Sequence, residues 1–475
     1  MRRVIMLFLL TISLSGCLVG PVYRRPAVSA PTVFRGQTSE ESLSLADQAW
    51  WSIYSDPLLE ELIKESLKNN CDLRTAIART HEARAYVGVA RSSYYPSVGF
   101  ESGAQRDLGV YKDSPALDLP TVGASTHDLF LGGLSTAWEI DLWGRVRNST
   151  AASKANYLET EEARRGLMLS LVSDVAAAYF ELVELDRRLE IARQSRDAFM
   201  ATYKLFNERY RAGIGSKLPV TRAESALAAA EGSIDDLERQ IESREDQICV
   251  LVGRNPGPIQ RSPPVLELNL PPVVPAGIPS QLLERRPDIR RAEDNLRQAL
   301  ANIGVANANF FPRIGLTAVF GRVSTDLTSL ANGSSDVWAL AASASGPIFT
   351  GGQLTQQRRA ARAAFDQAAS QYSKSALVAF QEVSDALIAS QKLIALEEKQ
   401  RVEVAALTES EAIANRRYMG GLANYYEVLE AQQLLYPAEF SLSQTSRDRR
   451  LAVVQLYKAL GGGWNLDNAQ FTGGH

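Results

Sequence analysis

Three cysteines and three histidines are the side chains of this sequence best suited to covalent or metal chemistry. One of the six sits in a pattern that uses it. Arg2 and Arg3 precede an apolar run from Val4 to Leu14, and Leu14-Ser15-Gly16-Cys17 follows. A basic start, a short apolar stretch and small residues before a cleavage point describe a secretory signal peptide, here residues 1–16, which stands apart from the fold. Its end resembles a bacterial lipobox, with Cys17 as the cleaved and acylated first residue. Two or more buried acyl chains, palmitate among them, make a stable anchor, whereas a single chain is marginal. Leu18 follows where an aspartate would resemble the inner-membrane retention signal, so the expected address is the outer membrane of a Gram-negative envelope.

The remaining candidates offer no reaction. Cys71 and Cys249 have neither a CxxC spacing nor a histidine neighbour, so metal binding is not expected. An oxidising envelope permits a disulfide between them, but two free, buried thiols are the expectation. His81, His127 and His475 fall in no triad or metal spacing, so the chain reads as no enzyme and needs no cofactor beyond the lipid at Cys17. The formal charge of −3 carries no basic stripe, which excludes nucleic acid as a partner. After Cys17 no apolar run of eighteen residues occurs, so no transmembrane helix is expected.

The elements that could position such residues are unusual in length. The stretch between Gly144 and Gly213 is broken only by Gly166, and the stretch between Gly352 and Gly420 holds neither glycine nor proline. A helix of about 65 residues spans about 100 Å at 1.5 Å per residue, which is a strut and not a domain core. Leu171, Val175, Ala178, Leu182, Leu185, Leu189 and Ala192 step by four and three, and Phe199, Tyr203, Phe206 and Tyr210 continue the frame past Arg196. That period predicts a left-handed coiled coil. A weaker stripe runs through Val383, Ala386, Leu393, Val404 and Leu407.

The chain also repeats itself. Val305-Ala-Asn-Ala-Asn-Phe-Phe-Pro312 echoes Val89-Ala-Arg-Ser-Ser-Tyr-Tyr-Pro96, and Arg417-Tyr418 before Gly420-Gly421 echoes Arg209-Tyr210 before Gly213. The period, roughly 210 residues, is far longer than a solenoid repeat and reads as one duplicated architecture. Each half predicts a short helix (72–94, 288–310), two strands (97–106 and 129–141, 313–322 and 336–349), the long helix, a glycine turn and a returning helix (219–252, 425–460). A proline-rich linker, 254–280, joins the halves. Pro219 and Pro287 suit first turns of helices.

Each strand is about ten residues, enough to cross a bilayer when tilted. Val98 and Phe100 alternate with Gly99 and Glu101, and Ile314, Leu316, Ala318 and Phe320 alternate with Gly315, Thr317 and Gly321. A soluble four-stranded sheet would show the same alternation. In lipid, four strands leave open edges that are not tolerated, and three copies would close twelve.

Five segments carry a family resemblance: Cys17–Pro26, Trp50–Leu58, Leu282–Glu293, Ile303–Pro312 and Ala459–Trp464. The chain resembles the outer-membrane factors of tripartite efflux and secretion systems, the TolC-like and OprM-like channels. Within them it is similar to the lipid-anchored, NodT-like branch attached to resistance-nodulation-division pumps. The resemblance implies an α+β membrane protein: a homotrimer with a 12-stranded outer-membrane β-barrel, four strands per chain, continuous with a long periplasmic α-helical barrel. It implies a lipid-anchored lead-in (17–57), two structural repeats (58–253 and 281–461) and a short tail from 462. It implies a periplasmic adaptor protein and an inner-membrane resistance-nodulation-division transporter as partners, beside outer-membrane lipid.

The turns ending the long helices would then face the periplasm. Arg209, Tyr210, Gly213, Gly215 and Ser216, with Arg417, Tyr418, Gly420 and Gly421, are the implied adaptor-docking tips, though a turn needs glycine on conformational grounds alone. Glu427 and Glu430 match positions where the family commonly carries two aspartates at the periplasmic aperture. A ring of acids attracts cations and repels anions. Glu427 also stands three residues after Asn424, as in a capping box, and Glu430 could be a solvated helix face. Pro437 lies inside the returning helix and predicts a local bend. The expected function is a passive exit duct of an efflux pump that opens at its helical tip. A duct for type I protein secretion and a non-conducting coiled-coil envelope lipoprotein are the alternatives, and the cargo is not written in the sequence.

Overall fold

The computed structural model describes residues 19–36, 54, 56–109, 125–261, 279–332 and 336–462. The signal peptide, Cys17, most of the proline-rich linker and the end of the chain from 463 lie outside the described residues. The helices are α1 (Pro57–Asn69), α2 (Cys71–Ser92), α3 (Arg145–Arg211), α4 (Lys217–Val252), α5 (Pro279–Arg285), α6 (Pro287–Ala308), α7 (Leu327–Asn332), α8 (Gln353–Met419) and α9 (Tyr425–Ala459). The strands are β1 (Ser97–Gly109), β2 (Ser125–Ile140), β3 (Arg313–Ser324) and β4 (Asp336–Ser345).

Both predicted struts form, and α3 and α8 are 67 residues each. The start of α3 is fixed by Asp141, whose carboxylate accepts from the N–H groups of Val146 and Arg147 at 2.9 Å each. A carboxylate there satisfies donors that have no partner within the helix and complements its dipole. Two helices lie outside the expectations. α1 opens on Asp56, which accepts from Leu58 and Leu59, with Pro57 at the first helical position, and it buries Leu59, Leu62, Ile63 and Leu67. The other, α7, is a six-residue helix between β3 and β4.

The structure divides into two compact units, each assembled from three stretches of chain. The first comprises 1–26, 81–159 and 293–371 and contains the sheet, ordered β1-β2-β3-β4 and antiparallel throughout. Three strands run longer than expected, at 13, 16 and 12 residues. The fourth stops at Ser345, short of the predicted 349. Pro347 cannot donate to a ladder, and a Cβ on Gly346 would lie 2.9 Å from Pro312 Cα.

Register sorts the sheet into two unlike faces. Phe100, Leu134, Phe320 and Trp338 stand abreast across the four strands, as do Val98, Thr136, Ala318 and Leu340. On the reverse, Glu101, Gly133, Gly321 and Val337 stand abreast, then Gly99, Ser135, Val319 and Ala339. One face is therefore aromatic and aliphatic, the other small and mixed. The apolar face lacks cover within the chain, with Phe100 75%, Phe320 66%, Trp338 74% and Leu340 76% exposed. Both edges of the sheet, at β1 and β4, lack a neighbouring strand among the described residues.

The second unit comprises 27–80, 160–292 and 372–475 and holds the larger core. The coiled-coil stripe of α3 is buried from Leu171 to Ala192, with Val175 and Leu182 wholly so. A window of α3 is long and apolar enough to cross a membrane by length and composition, which corrects the expectation that no such helix exists. That window is mostly buried in the unit's own packing, through side chains such as Tyr179, Phe180 and Val183. The stripe of α8 is buried at Val383 and Ala386 but only half-buried at Leu393, Val404 and Leu407. Cys249 is buried with its Sγ 3.3 Å from Gly257 O, whereas Cys71 is exposed, not buried as expected; both are free.

Two closures of this unit match. α4 ends with Gly253 N–H on Val250 O and Arg254 N–H on Cys249 O, a Schellman motif. The same pair of bonds, Gly461 to Lys458 and Gly462 to Tyr457, closes α9 208 residues later. Asn70 Nδ2 donates to Leu251 O at 3.0 Å, and Arg286 Nη1 donates to Ala459 O at 2.9 Å. Arg286 also grips Asp288 (2.7 Å) and Glu382 (2.6 Å), which accounts for the arginine-proline-aspartate signature at Arg286-Pro287-Asp288.

Candidate functional site

The two helical turns are built from the same bonds. In the first, Gly213 N–H donates to Tyr210 O (3.0 Å) and Ile214 N–H to Arg209 O (3.0 Å). In the second, Gly421 N–H donates to Tyr418 O (3.0 Å) and Leu422 N–H to Arg417 O (2.9 Å). Arg209-Tyr210 and Arg417-Tyr418 therefore supply the capped carbonyls at each helix end. The left-handed residue is Gly213 (φ 75°) in one turn and Gly421 (φ 72°) in the other, so Gly420 is not the strained position. Ser216 is the N-cap of α4 without a side-chain bond, and Asn424 is the N-cap of α9, its Oδ1 accepting from Tyr426 N–H at 3.2 Å.

These turns expose apolar side chains. Ile214 is 76% and Leu422 77% exposed, and Met419, Leu218 and Tyr426 stand out beside them. Arg209, Gly213, Gly215, Ser216, Arg417, Gly420 and Gly421 are exposed, as is Tyr210, while Tyr418 is half-buried. Two cation–π contacts link the turns: Arg209 over Tyr418 at 5.7 Å and Arg222 over Tyr426 at 5.9 Å.

Behind them lies an aromatic cluster of Phe199, Tyr203 and Phe206 from α3, Tyr418 from α8, and Tyr425 and Tyr436 from α9. The Phe206–Tyr425 and Tyr418–Tyr425 rings meet edge-on at 4.7 and 5.0 Å. The Tyr425 hydroxyl bonds Thr202 Oγ1, and Thr202 in turn donates to Ala198 O at 2.9 Å. Burial pushes the Tyr425 phenol up, against the opposing bond from Thr202. The stripe of the sequence anticipates the α3 members; Thr202 and Tyr425, 223 residues apart, carry no local signal that pairs them.

Glu427 and Glu430 are both exposed on the first turns of α9. The capping-box alternative is half realised: Asn424 caps Tyr426, while the Glu427 carboxylate faces Arg417 Nε at 3.8 Å. Pro437 does not end α9, which continues through it to Ala459. Proline has no N–H for the carbonyl of Gln433, four residues earlier. His81 is exposed; the His127 side chain and His475 lie outside the described residues.

A strap lies at the N-terminal side of the described chain. Val19 N–H donates to Trp143 O at 3.3 Å. Tyr23 and Arg25 both bond Glu293, the tyrosine at 2.9 Å, and Arg297 covers the Tyr23 ring at 5.0 Å. Burial, then the Glu293 carboxylate, pushes the Tyr23 phenol up to about 12. Burial works to raise Glu293, but Arg25, Tyr23 and Arg297 outweigh it and hold the carboxyl below its usual range. Trp143 stacks on Phe311 at 4.7 Å, and its indole N–H donates to Pro312 O.

Comparison with known proteins agrees with this geometry. A family model described as outer membrane efflux protein matches residues 62–254 and 278–462. The chain is 34% identical over 461 residues to the solvent efflux pump outer membrane protein SrpC of Pseudomonas putida, covering 95% of this chain and 97% of that one. It is 32% identical over 463 residues to the cation efflux system protein CusC of Escherichia coli O6:H1, covering 96% and 98%. The solved CmeC outer membrane channel of Campylobacter jejuni superposes with a TM-score of 0.86 at 25% identity, covering 94% and 95%.

Proposed function

The chain belongs to the outer membrane efflux protein family, and we infer that it is the outer-membrane channel of a tripartite efflux pump, passing substrates from periplasm to exterior. The observation that carries this reading is the two-faced open sheet. A sheet with an uncovered aromatic face and two unpaired edges is a poor soluble object and, alone, an impossible membrane one. Three copies joined edge to edge close twelve strands, with Phe100, Phe320 and Trp338 toward lipid and Gly99, Glu101 and Gly321 toward the lumen. The recurring closures at Gly253 and Gly461 support one architecture used twice, extended by the helices into the periplasm.

The exposed turns at Gly213 and Gly421 dock a periplasmic adaptor, which bridges to a resistance-nodulation-division transporter in the inner membrane. Apolar tips flanked by arginines favour a partner with an apolar contact surface and acidic or carbonyl acceptors. Glu427 and Glu430 from three chains form the aperture, and their charge favours cations there. The chain is anchored through lipid on Cys17. Support comes from Val19: two residues of chain reach about 7 Å, so an acylated Cys17 lies within reach of Trp143, a residue type enriched at membrane interfaces.

The test is twofold. Detergent-solubilised protein should sediment as three copies and give ion-conducting channels in planar bilayers, with cation preference reduced in Glu427→Gln/Glu430→Gln. A lone subunit, or a trimer that never conducts even with both acids neutralised, refutes the duct and favours a scaffold.

A further inference from the structure

The aperture acids have little to hold them in place. Both are exposed, and the printed partner of Glu427 is Arg417 at 3.8 Å, an exposed and therefore weak pair. Tyr425, two residues before Glu427 and on the same turn of helix, is held from three sides. It is the first residue of α9 and is 7% exposed. Phe206 of α3 and Tyr418 of α8 meet its ring edge-on. Its hydroxyl meets Thr202 of α3, whose own proton is directed to Ala198 O. The phenol is therefore the donor, in a chain that runs from α9 into the backbone of α3.

The first hairpin has no such hold. The position corresponding to Tyr425, 208 residues earlier, is Lys217, the first residue of α4, and it is exposed. Opposite it, the counterpart of Thr202 is Ser410 on α8. The hydroxyl relay thus belongs to the hairpin that carries the acids. The Tyr418 hydroxyl, beside it, is buried with no hydrogen-bond partner among the described residues. A buried unpaired phenol disfavours the arrangement that contains it, so Tyr418 offers no restraint through its hydroxyl and the Tyr425 relay supplies the polar link between α9 and α3.

We propose that Tyr425 is a positioning residue for the channel mouth, fixing the start of α9 on α3 through Thr202 and so setting the spread of Glu427 and Glu430 about the threefold axis. The proposal rests on the duct reading for the identity of that mouth, but not for the clamp itself. Loss of a neutral hydrogen bond shifts a two-state equilibrium by about two- to tenfold, so a mouth held closed by this bond opens by that factor when it is removed.

Full-length protein in planar bilayers is the material. Tyr425→Phe keeps the ring and removes the donor; Thr202→Val keeps the shape and removes the relay. Each is expected to raise the open fraction of the channel, and the double variant should do no more than either single one. A merely structural role would lower thermal stability and leave gating unchanged, or give independent effects in the double variant; either result overturns the proposal. If wild type and all variants fail to conduct, the duct reading fails separately. Spin labels attached through Glu430→Cys then decide the clamp: a broader or longer distance distribution between copies in Tyr425→Phe supports it, and an unchanged one overturns it.

Discussion

Glu184 offers a stability test whose sign can be worked from the structure. Its side chain is 1% exposed on α3, and Oε1 has no hydrogen-bond partner among the described residues. Arg447 of α9 approaches at 3.5 Å and Arg188 at 3.8 Å, too distant for strong charge-assisted bonds. Burial raises the carboxyl from 4.5 to about 6, against the attraction of Arg447 and Arg188. A carboxyl that holds its proton more tightly folded than unfolded costs stability once ionised. The cost is absent below the unfolded value, grows through the interval, and is complete above the folded one. A shift of this size corresponds to about 2 kcal/mol. Glu184→Gln should therefore stabilise the protein at pH 8 by up to about 2 kcal/mol and leave it nearly unchanged at pH 4. Denaturant unfolding of the detergent-solubilised protein at the two pH values measures this. The carboxyls of Asp174, Asp186 and Glu439, also raised by burial, are common to both proteins and cancel in the difference. A variant that is less stable at pH 8 would mean that the two arginines outweigh burial, and the reasoning would be wrong.

Gly213→Ala should cost about 1–2 kcal/mol, the left-handed backbone penalty alone, because nothing lies within 4 Å of its Cβ position. Gly253→Ala shares that backbone but would bring Cβ to 2.5 Å from Asn69 O, adding about 1–3 kcal/mol of overpacking; equal losses in denaturant unfolding would refute the distinction. Phe320→Lys puts a charge in the middle of the apolar face and should reduce membrane assembly by about 2–4 kcal/mol, read as loss of heat-resistant trimer, whereas Thr317→Lys on the reverse face should assemble and alter conductance.

Sequence punctuation made the long elements legible. Gly144, Gly213, Gly352 and Gly420 bound α3 and α8 to within a residue or two, because little else interrupts those stretches. The alternation around Phe100 and Phe320 fixed which face of each strand is apolar. α1 had a readable signal, Asp56-Pro57 before leucines at helical spacing, but it adjoins Trp50–Leu58, which read as an extended lead-in. α7 is too short for periodicity to register. At the candidate site the glycine turns were legible and the exposed Ile214 and Leu422 follow from their position just past the left-handed residue. The relay from Tyr425 to Thr202 was not, since its partners lie on different helices and neither departs from the pattern of its own.

Two like hairpins with unlike ties distribute stiffness unequally, and that inequality is where a passive channel gains a gate. Both turns use the same Schellman bonds, so the turns themselves cannot distinguish an open mouth from a closed one. What differs lies just beyond: Ser216 leaves its cap unmade and Lys217 points to solvent, while Asn424 caps its helix and Tyr425 is locked into α3. At the far end of the same helices the difference recurs, as Asn70 makes one bond to Leu251 O where Arg286 makes bonds to Asp288, Glu382 and Ala459 O together. α9 is thus anchored at both ends and α4 more lightly at each. An adaptor that docks on the exposed turns can move α4 at little cost, but it must displace Tyr425 from Thr202 to move the helix that carries the acids. Docking and opening are then separate events, which lets a channel be engaged without leaking.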